Sequence, residues 1–218
     1  MKINLYVIRH GQTDLNKRKT KIIFDPNINN TGIEQCSELK QFLKNKFKTF
    51  KNAKLYTSIL ARTQETALLS ISRKNITVMN HLKEHQNFLQ KTNLIKYSNF
   101  PYKKIVKQQE HMKEIVGLSS LKRIRYEDDI INEKGEYKNK IFNQEGNIHT
   151  FLKENKERFK NGDTIIIFCH GKMIRQFLKR KEKAKNCTCF QVRNDSSYFN
   201  MDKLDEKPEF EILFEPVA

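Results

Sequence analysis

Two short patterns in this chain place a nucleophile and a cation where chemistry is done. Arg9-His10-Gly11 follows Ile3, Leu5, Val7 and Ile8, an aliphatic run that predicts a buried strand over residues 3–8. His170-Gly171 follows Thr164-Ile165-Ile166-Ile167-Phe168-Cys169, the strongest buried-strand pattern in the sequence. Each histidine thus falls at a strand's C-terminal end, where open α/β sheets bind their ligands. An imidazole held there can attack phosphorus, an arginine beside it can grip two phosphate oxygens, and a glycine lets backbone approach the ligand. One Arg-His-Gly alone is compatible with an ordinary basic turn. The recurrence of strand-His-Gly near the other end of the chain points to a site.

The elements that must carry these residues follow from the apolar spacing. After a polar loop over 16–30, Thr31-Gly32 opens a helix bearing Ile33, Cys36, Leu39, Phe42, Leu43 and Phe47. A short strand over 53–57 leads to Ser58, which can start a second helix with Leu60, Thr63, Ala67 and Leu68 inward. Ile76-Thr77-Val78-Met79 is another strand, running into His81-Leu82-Lys83-Glu84. A helix over about 147–160 is closed by Gly162, a helix over 171–182 follows His170, and the phenylalanines at 190, 210 and 214 suggest two closing strands. Strands alternating with helices predict an α/β fold: a mostly parallel central sheet flanked by helices on both faces. Residues 85–140 are polar, lysine-rich and weakly periodic, and read as an insertion or lid with some helix within one domain spanning 1–218.

A chain of 218 residues is long enough for one full hydrophobic core. Forty-two basic against twenty-five acidic residues give a net charge of +17. Most of that excess reads as a solvated lysine-rich surface, but Lys17-Arg18-Lys19-Thr20-Lys21 directly follows the first motif and would draw anionic substrates to the mouth of the site. No basic ribbon interleaved with aromatics supports a nucleic-acid partner. No apolar run approaches a membrane span, and a soluble, cytoplasmic protein is expected. Cys36, Cys169, Cys187 and Cys189 lack metal-ligand spacing and read as reduced thiols, Cys169 as a core residue.

Further stretches complete a pattern: Ile28-Asn29-Asn30-Thr31-Gly32, Ser58-Ile59-Leu60-Ala61-Arg62-Thr63-Gln64-Glu65-Thr66, Leu82-Lys83-Glu84, Cys169-His170-Gly171 and Asn186-Cys187-Thr188. With Arg9-His10-Gly11-Gln12-Thr13-Asp14-Leu15-Asn16 ahead of them, they resemble the histidine phosphatases, the phosphoglycerate mutase-like superfamily, in family order. The resemblance implies His10 as nucleophile, with Arg9, Arg62 and His170 around the phosphate, Asn16 and Gly11 assisting, and Gly171 following the second histidine. It implies no metal and no cofactor, since fixed cations neutralise the phosphate. Glu84 is the implied general acid and base; the glycine that relatives carry four residues later is absent here, so His85 or Glu110 stays open as a substitute. An arginine after the acid and a paired-arginine segment mark the mutases, whereas His85 and only a loose echo at Lys122-Arg123-Ile124-Arg125-Tyr126 stand here. The expectation is therefore a phosphatase acting on a phosphorylated small molecule or phosphoprotein. Mutase-type phosphotransfer and a silent phospholigand- or partner-binding domain remain the alternatives.

Overall fold

The computed structural model describes residues 1–14, 25–84, 104–127, 130–138 and 146–217. Eight strands form one sheet: β1 Lys2–Arg9, β2 Ala53–Ser58, β3 Ile76–Met79, β4 Ile124–Tyr126, β5 Thr164–Cys169, β6 Cys189–Arg193, β7 Phe199–Asn200 and β8 Glu209–Phe214. The order is β4-β3-β2-β5-β1-β6-β8, with β7 beside the start of β1. Strands β4, β3, β2, β5 and β1 run parallel, while β6, β7 and β8 are antiparallel. The predicted mostly parallel sheet is what the chain forms.

The period of two along β1 divides the core. Tyr6 and Ile8 point to one face, where they meet Cys36, Leu39 and Leu43 of helix α1 (Asn30–Phe47) and Ala67 and Leu68 of helix α2 (Ala61–Ser70). Leu5 and Val7 point to the other, against Phe151 and Leu152 of helix α5 (Ile148–Glu154) and Met173 and Ile174 of helix α6 (Gly171–Phe177). Both faces are covered, so the central strands read as continuous apolar runs. Pairing of β1 with β5 sets Arg9 opposite Cys169, which brings His10 and His170 to neighbouring strand ends.

Several boundaries differ from the sequence reading for local reasons. Helix α1 starts at Asn30 because the Asn29 side chain caps it, accepting from Gly32 N at 3.0 Å. Ser58 closes β2 rather than opening α2. The helix expected over 147–160 ends at Glu154 and passes into a 3-10 turn at Lys156–Arg158, and the one after His170 ends at Phe177, before Lys179 takes a left-handed φ of 50°. Phe210 and Ile212 lie on the outermost strand and stay partly exposed, Phe210 beneath the Arg180 guanidinium 5.2 Å from its ring centre.

The largest difference concerns the stretch expected as a lid. Its described residues supply helix α3 (Ile105–Val116), helix α4 (Leu118–Leu121) and the edge strand β4, and Met112, Val116, Leu121, Ile124, Ile130 and Tyr137 join the core beside α2. A buried face on α3 was masked in the sequence by the lysines and glutamines between its apolar positions.

Candidate active site

The loop after β1 is held from three sides. Arg9 N and His10 N donate to Thr188 O at 3.1 Å and Cys169 O at 3.0 Å. Asn186 Nδ2 donates to His10 O at 2.8 Å and Cys187 N to Arg9 O at 3.0 Å, while Gly11 N donates to Thr66 Oγ1 on α2 at 2.9 Å. A Cβ on Gly11 would stand 3.1 Å from Gly32 O, so its bareness lets α1 close on the loop. Gly171 likewise makes room for Arg9, whose Nε would lie 3.0 Å from an added Cβ.

His10 is buried, and its Nδ1 lies 2.7 Å from Gly11 O. A carbonyl only accepts, so Nδ1 carries the proton and Nε2 keeps its lone pair. Burial, then the nearby Arg62 and Arg9 guanidiniums, push the His10 pKa well below its ordinary value, which keeps the ring neutral and nucleophilic. The same forces act on His170, with burial first and Arg62 next. The charged form of His170 is thus disfavoured in this pocket. The two ring centres are 5.3 Å apart.

Arg62 stands in the first turn of α2 and reaches Glu84 Oε2 with Nη2 at 3.3 Å. Glu84 follows the 3-10 turn Asn80–Leu82 at the end of β3, and the same oxygen lies 3.7 Å from His170 Nδ1. Its Oε1 accepts from Lys172 N at 3.4 Å. Arg9 Nη1 donates to Ala184 O. Arg9, His10, Arg62, Glu84 and Gly171 line one cavity of about 180 Å³ together with Thr13 and Lys183.

Part of the unused hydrogen-bonding capacity lies on the arginines and the second histidine of this site. Arg9 Nε, Arg62 Nη1 and both His170 ring nitrogens are buried without a hydrogen-bond partner among the described residues. Each such orphan costs ~1–3 kcal/mol, more for a charged group, unless a ligand satisfies it. Two guanidiniums and the His10 imidazole line a cavity of this size beside the Glu84 carboxylate, an arrangement that can hold an anion. Among the described residues no group of three or more His, Cys, Asp or Glu is placed to hold a metal ion, and no helix is long and apolar enough to cross a membrane.

Of the residues singled out from the sequence, the structure brings Arg9, His10, Gly11, Arg62, Glu84, His170 and Gly171 together. Asn16, His85 and the cluster Lys17–Lys21 lie outside the described residues. Glu110 is exposed on α3 and borders a separate cavity with Lys113 and Arg125, away from His10. Thr13 and Lys183 were not singled out. Lys183 sits inside an exposed lysine run with no pattern to distinguish it, and only the anchoring of Ala184 on Arg9 brings it to the rim.

Residues 5–93 match the profile of the histidine phosphatase superfamily, branch 1. Over that stretch the chain is similar to the histidine phosphatase superfamily. It contains most of β1, then α1, β2, α2, β3 and Glu84, and so every lining residue named above except Gly171 and Lys183. No curated protein matches the chain in sequence. Solved structures share the fold at low identity. A mutant phosphoserine phosphatase from Entamoeba histolytica, in complex with phosphoserine, is 18% identical, covering 95% of this chain and 94% of its own with a TM-score of 0.50. A mycobacterial glucosyl-3-phosphoglycerate phosphatase in complex with VO3 is 16% identical (96% and 97% covered, TM-score 0.53). The α-ribazole phosphatase from Shigella flexneri is 15% identical (96% and 95% covered, TM-score 0.51).

Proposed function

We propose that this chain is a metal-independent phosphomonoester hydrolase that works through a phosphohistidine on His10. The observation that carries the reading is the set of orphaned donors on Arg9, Arg62 and His170 around a histidine whose Nε2 lone pair is free. A phosphate dianion would satisfy the donors and be neutralised by the two arginines, which cannot deprotonate at working pH. His10 Nε2 attacks phosphorus as the ester P–O bond breaks, and the leaving oxygen takes a proton from Glu84. Water then attacks the phosphohistidine, the N–P bond breaks, and Glu84 takes the water's proton. Released phosphate and a neutral His10 close the cycle.

The superfamily match supports this class of reaction, and the three solved relatives described above are all named as phosphatases. Their names support a phosphorylated small molecule as the substrate; a phosphoprotein would have to present its phosphate on an extended tip to reach a cavity of about 180 Å³. Both cores share a single sheet, which supports one histidine phosphatase domain over residues 1–218. Four free, buried thiols fit a reducing compartment, and we place the protein in the cytoplasm.

Phosphate release from an aryl phosphate in excess chelator, with His10→Ala alongside, tests the proposal. Turnover that survives chelation and is lost in the variant is expected. Equal turnover by the variant, or turnover abolished by the chelator, would overturn it.

A further inference from the structure

Behind the phosphate pocket lies a second carboxylate that the reaction above does not use. Asp25 is buried. Its Oδ1 accepts from Ala61 N at 2.7 Å and lies 3.8 Å from Arg62 Nη1, and its Oδ2 accepts from Gln108 Nε2 at 2.8 Å. Helix α2 needs this contact. It has no acidic residue in its first turn and no side-chain cap of its own, yet it carries the Arg62 cation at the positive end of its dipole. Asp25 supplies both the missing cap and the missing negative charge from a distant part of the chain.

We propose that Asp25 is the positioning residue of the phosphate clamp: its buried carboxylate sets the orientation of Arg62, and protonating it releases the guanidinium. The inference rests on the phosphate-binding reading of the same pocket. Arg62 is held between two carboxylates, its Nη1 on the Asp25 side and its Nη2 at Glu84 by the rim, so the guanidinium is not free to rotate.

The groups around Asp25 come from every neighbouring element. Arg62 and Glu65 lie on α2, Gln108 and His111 on α3, Tyr126 on β4, and Tyr137 in the segment after it. Gln108 is itself fixed, donating to Ile59 O at 2.8 Å and accepting from Tyr137 Oη at 2.5 Å. Burial raises Asp25 to about 6, with Arg62 and the Gln108 and Ala61 hydrogen bonds pulling it back. Burial also raises Glu65, Tyr126 and Tyr137, and lowers His111. Asp25 thus changes charge just below neutrality, and its ionised form is the one that holds Arg62.

The test is Asp25→Asn, which removes the charge and sets an amide donor against Ala61 N or Gln108 Nε2. Calorimetric binding of inorganic phosphate at pH 7.5 is expected to weaken tenfold or more, and KM to rise in parallel while kcat changes less. Wild-type and variant kcat/KM are expected to converge as pH falls through about 6; taking their ratio cancels the substrate's own titration. In an Arg62→Ala background the Asp25 substitution is expected to add nothing to phosphate affinity. Unchanged phosphate affinity in folded Asp25→Asn, a ratio independent of pH, or full additivity with Arg62→Ala would overturn the inference. Phosphate binding needs no turnover, so a protein that binds phosphate through Asp25 and Arg62 but hydrolyses nothing would sink the hydrolase reading alone. Should Asp25→Asn fail to fold, carboxyl-carbon NMR of the wild type against Arg62→Ala decides: the Asp25 titration must move upward when Arg62 is lost, and an unmoved titration refutes the coupling.

Discussion

Replacing Arg62 with alanine deletes a fork whose Nη1 is unpartnered and whose Nη2 touches Glu84 at 3.3 Å. A phosphoryl group in the cavity would take two charge-assisted hydrogen bonds from that fork, each contributing about 1.5–3 kcal/mol. Arg62→Ala is therefore expected to lower kcat/KM by roughly 10²- to 10⁴-fold at about 1.4 kcal/mol per factor of ten. Arg62→Lys keeps the charge and one donor but loses the planar fork, so about half of that free energy goes, a loss of roughly 10- to 100-fold. The assay is steady-state hydrolysis of an aryl phosphate at pH 7.5 with chelator, after circular dichroism has shown both variants folded. A loss below tenfold in Arg62→Ala would refute the argument that this fork holds the phosphate. Equal losses in the two variants would refute the argument that its geometry, beyond its charge, matters.

Three more outcomes follow from the same geometry. Glu84→Gln is expected to slow an alkyl phosphate by roughly 10²- to 10⁴-fold and p-nitrophenyl phosphate far less, because a phenolate of low pKa leaves without a proton; equal losses on the two esters would remove Glu84 from the acid role. Gly32→Ala would put a Cβ 2.4 Å from Gln12 O, a backbone atom that cannot swing away, so a cost of about 1–3 kcal/mol and a melting temperature lower by about 2–12 °C are expected by calorimetry. The third is the pH dependence of stability in phosphate-free buffer. The folded-state pKa values of His10 and His170 are depressed by burial, so below about 6.5 the unfolded chain takes up protons the native state refuses, and stability falls with pH. Asp25 and Glu65, raised in the folded state, act in the opposite sense, so the wild-type slope alone does not isolate the histidines. Urea midpoints at pH 6.5 and 5.5 should show His10→Ala gaining up to about 1 kcal/mol relative to the wild type on acidification; parallel slopes would mean that folding does not shift the His10 titration.

How much of this was legible beforehand depended on the kind of signal each residue carries. Arg9, His10 and His170 stood out because a buried strand ending in His-Gly is a local pattern, and the parallel pairing of β1 with β5 is the tertiary fact that makes the two ends neighbours. Arg62 and Glu84 were found through family spacing, not through periodicity, since nearly every side chain of α2 is buried and the helix shows no clean polar face. Asp25 looked like one more polar loop residue; its importance comes from contact with α2 and α3, far away in sequence. Strand β4 has three residues, too few for an alternation to be read, and its pairing with β3 is what draws the expected lid into the sheet. The exposed Phe210 and Ile212 follow the strand period correctly but lie where no helix covers the outermost strand.

The most direct test of the central claim is to quench a reaction with ³²P-labelled substrate and map the label. The account predicts a phosphoramidate that is stable in alkali and lost in acid, located on Nε2 of His10, because Nδ1 is committed to Gly11 O at 2.7 Å. Label on another residue, label on Nδ1, or undiminished labelling in His10→Ala would contradict it.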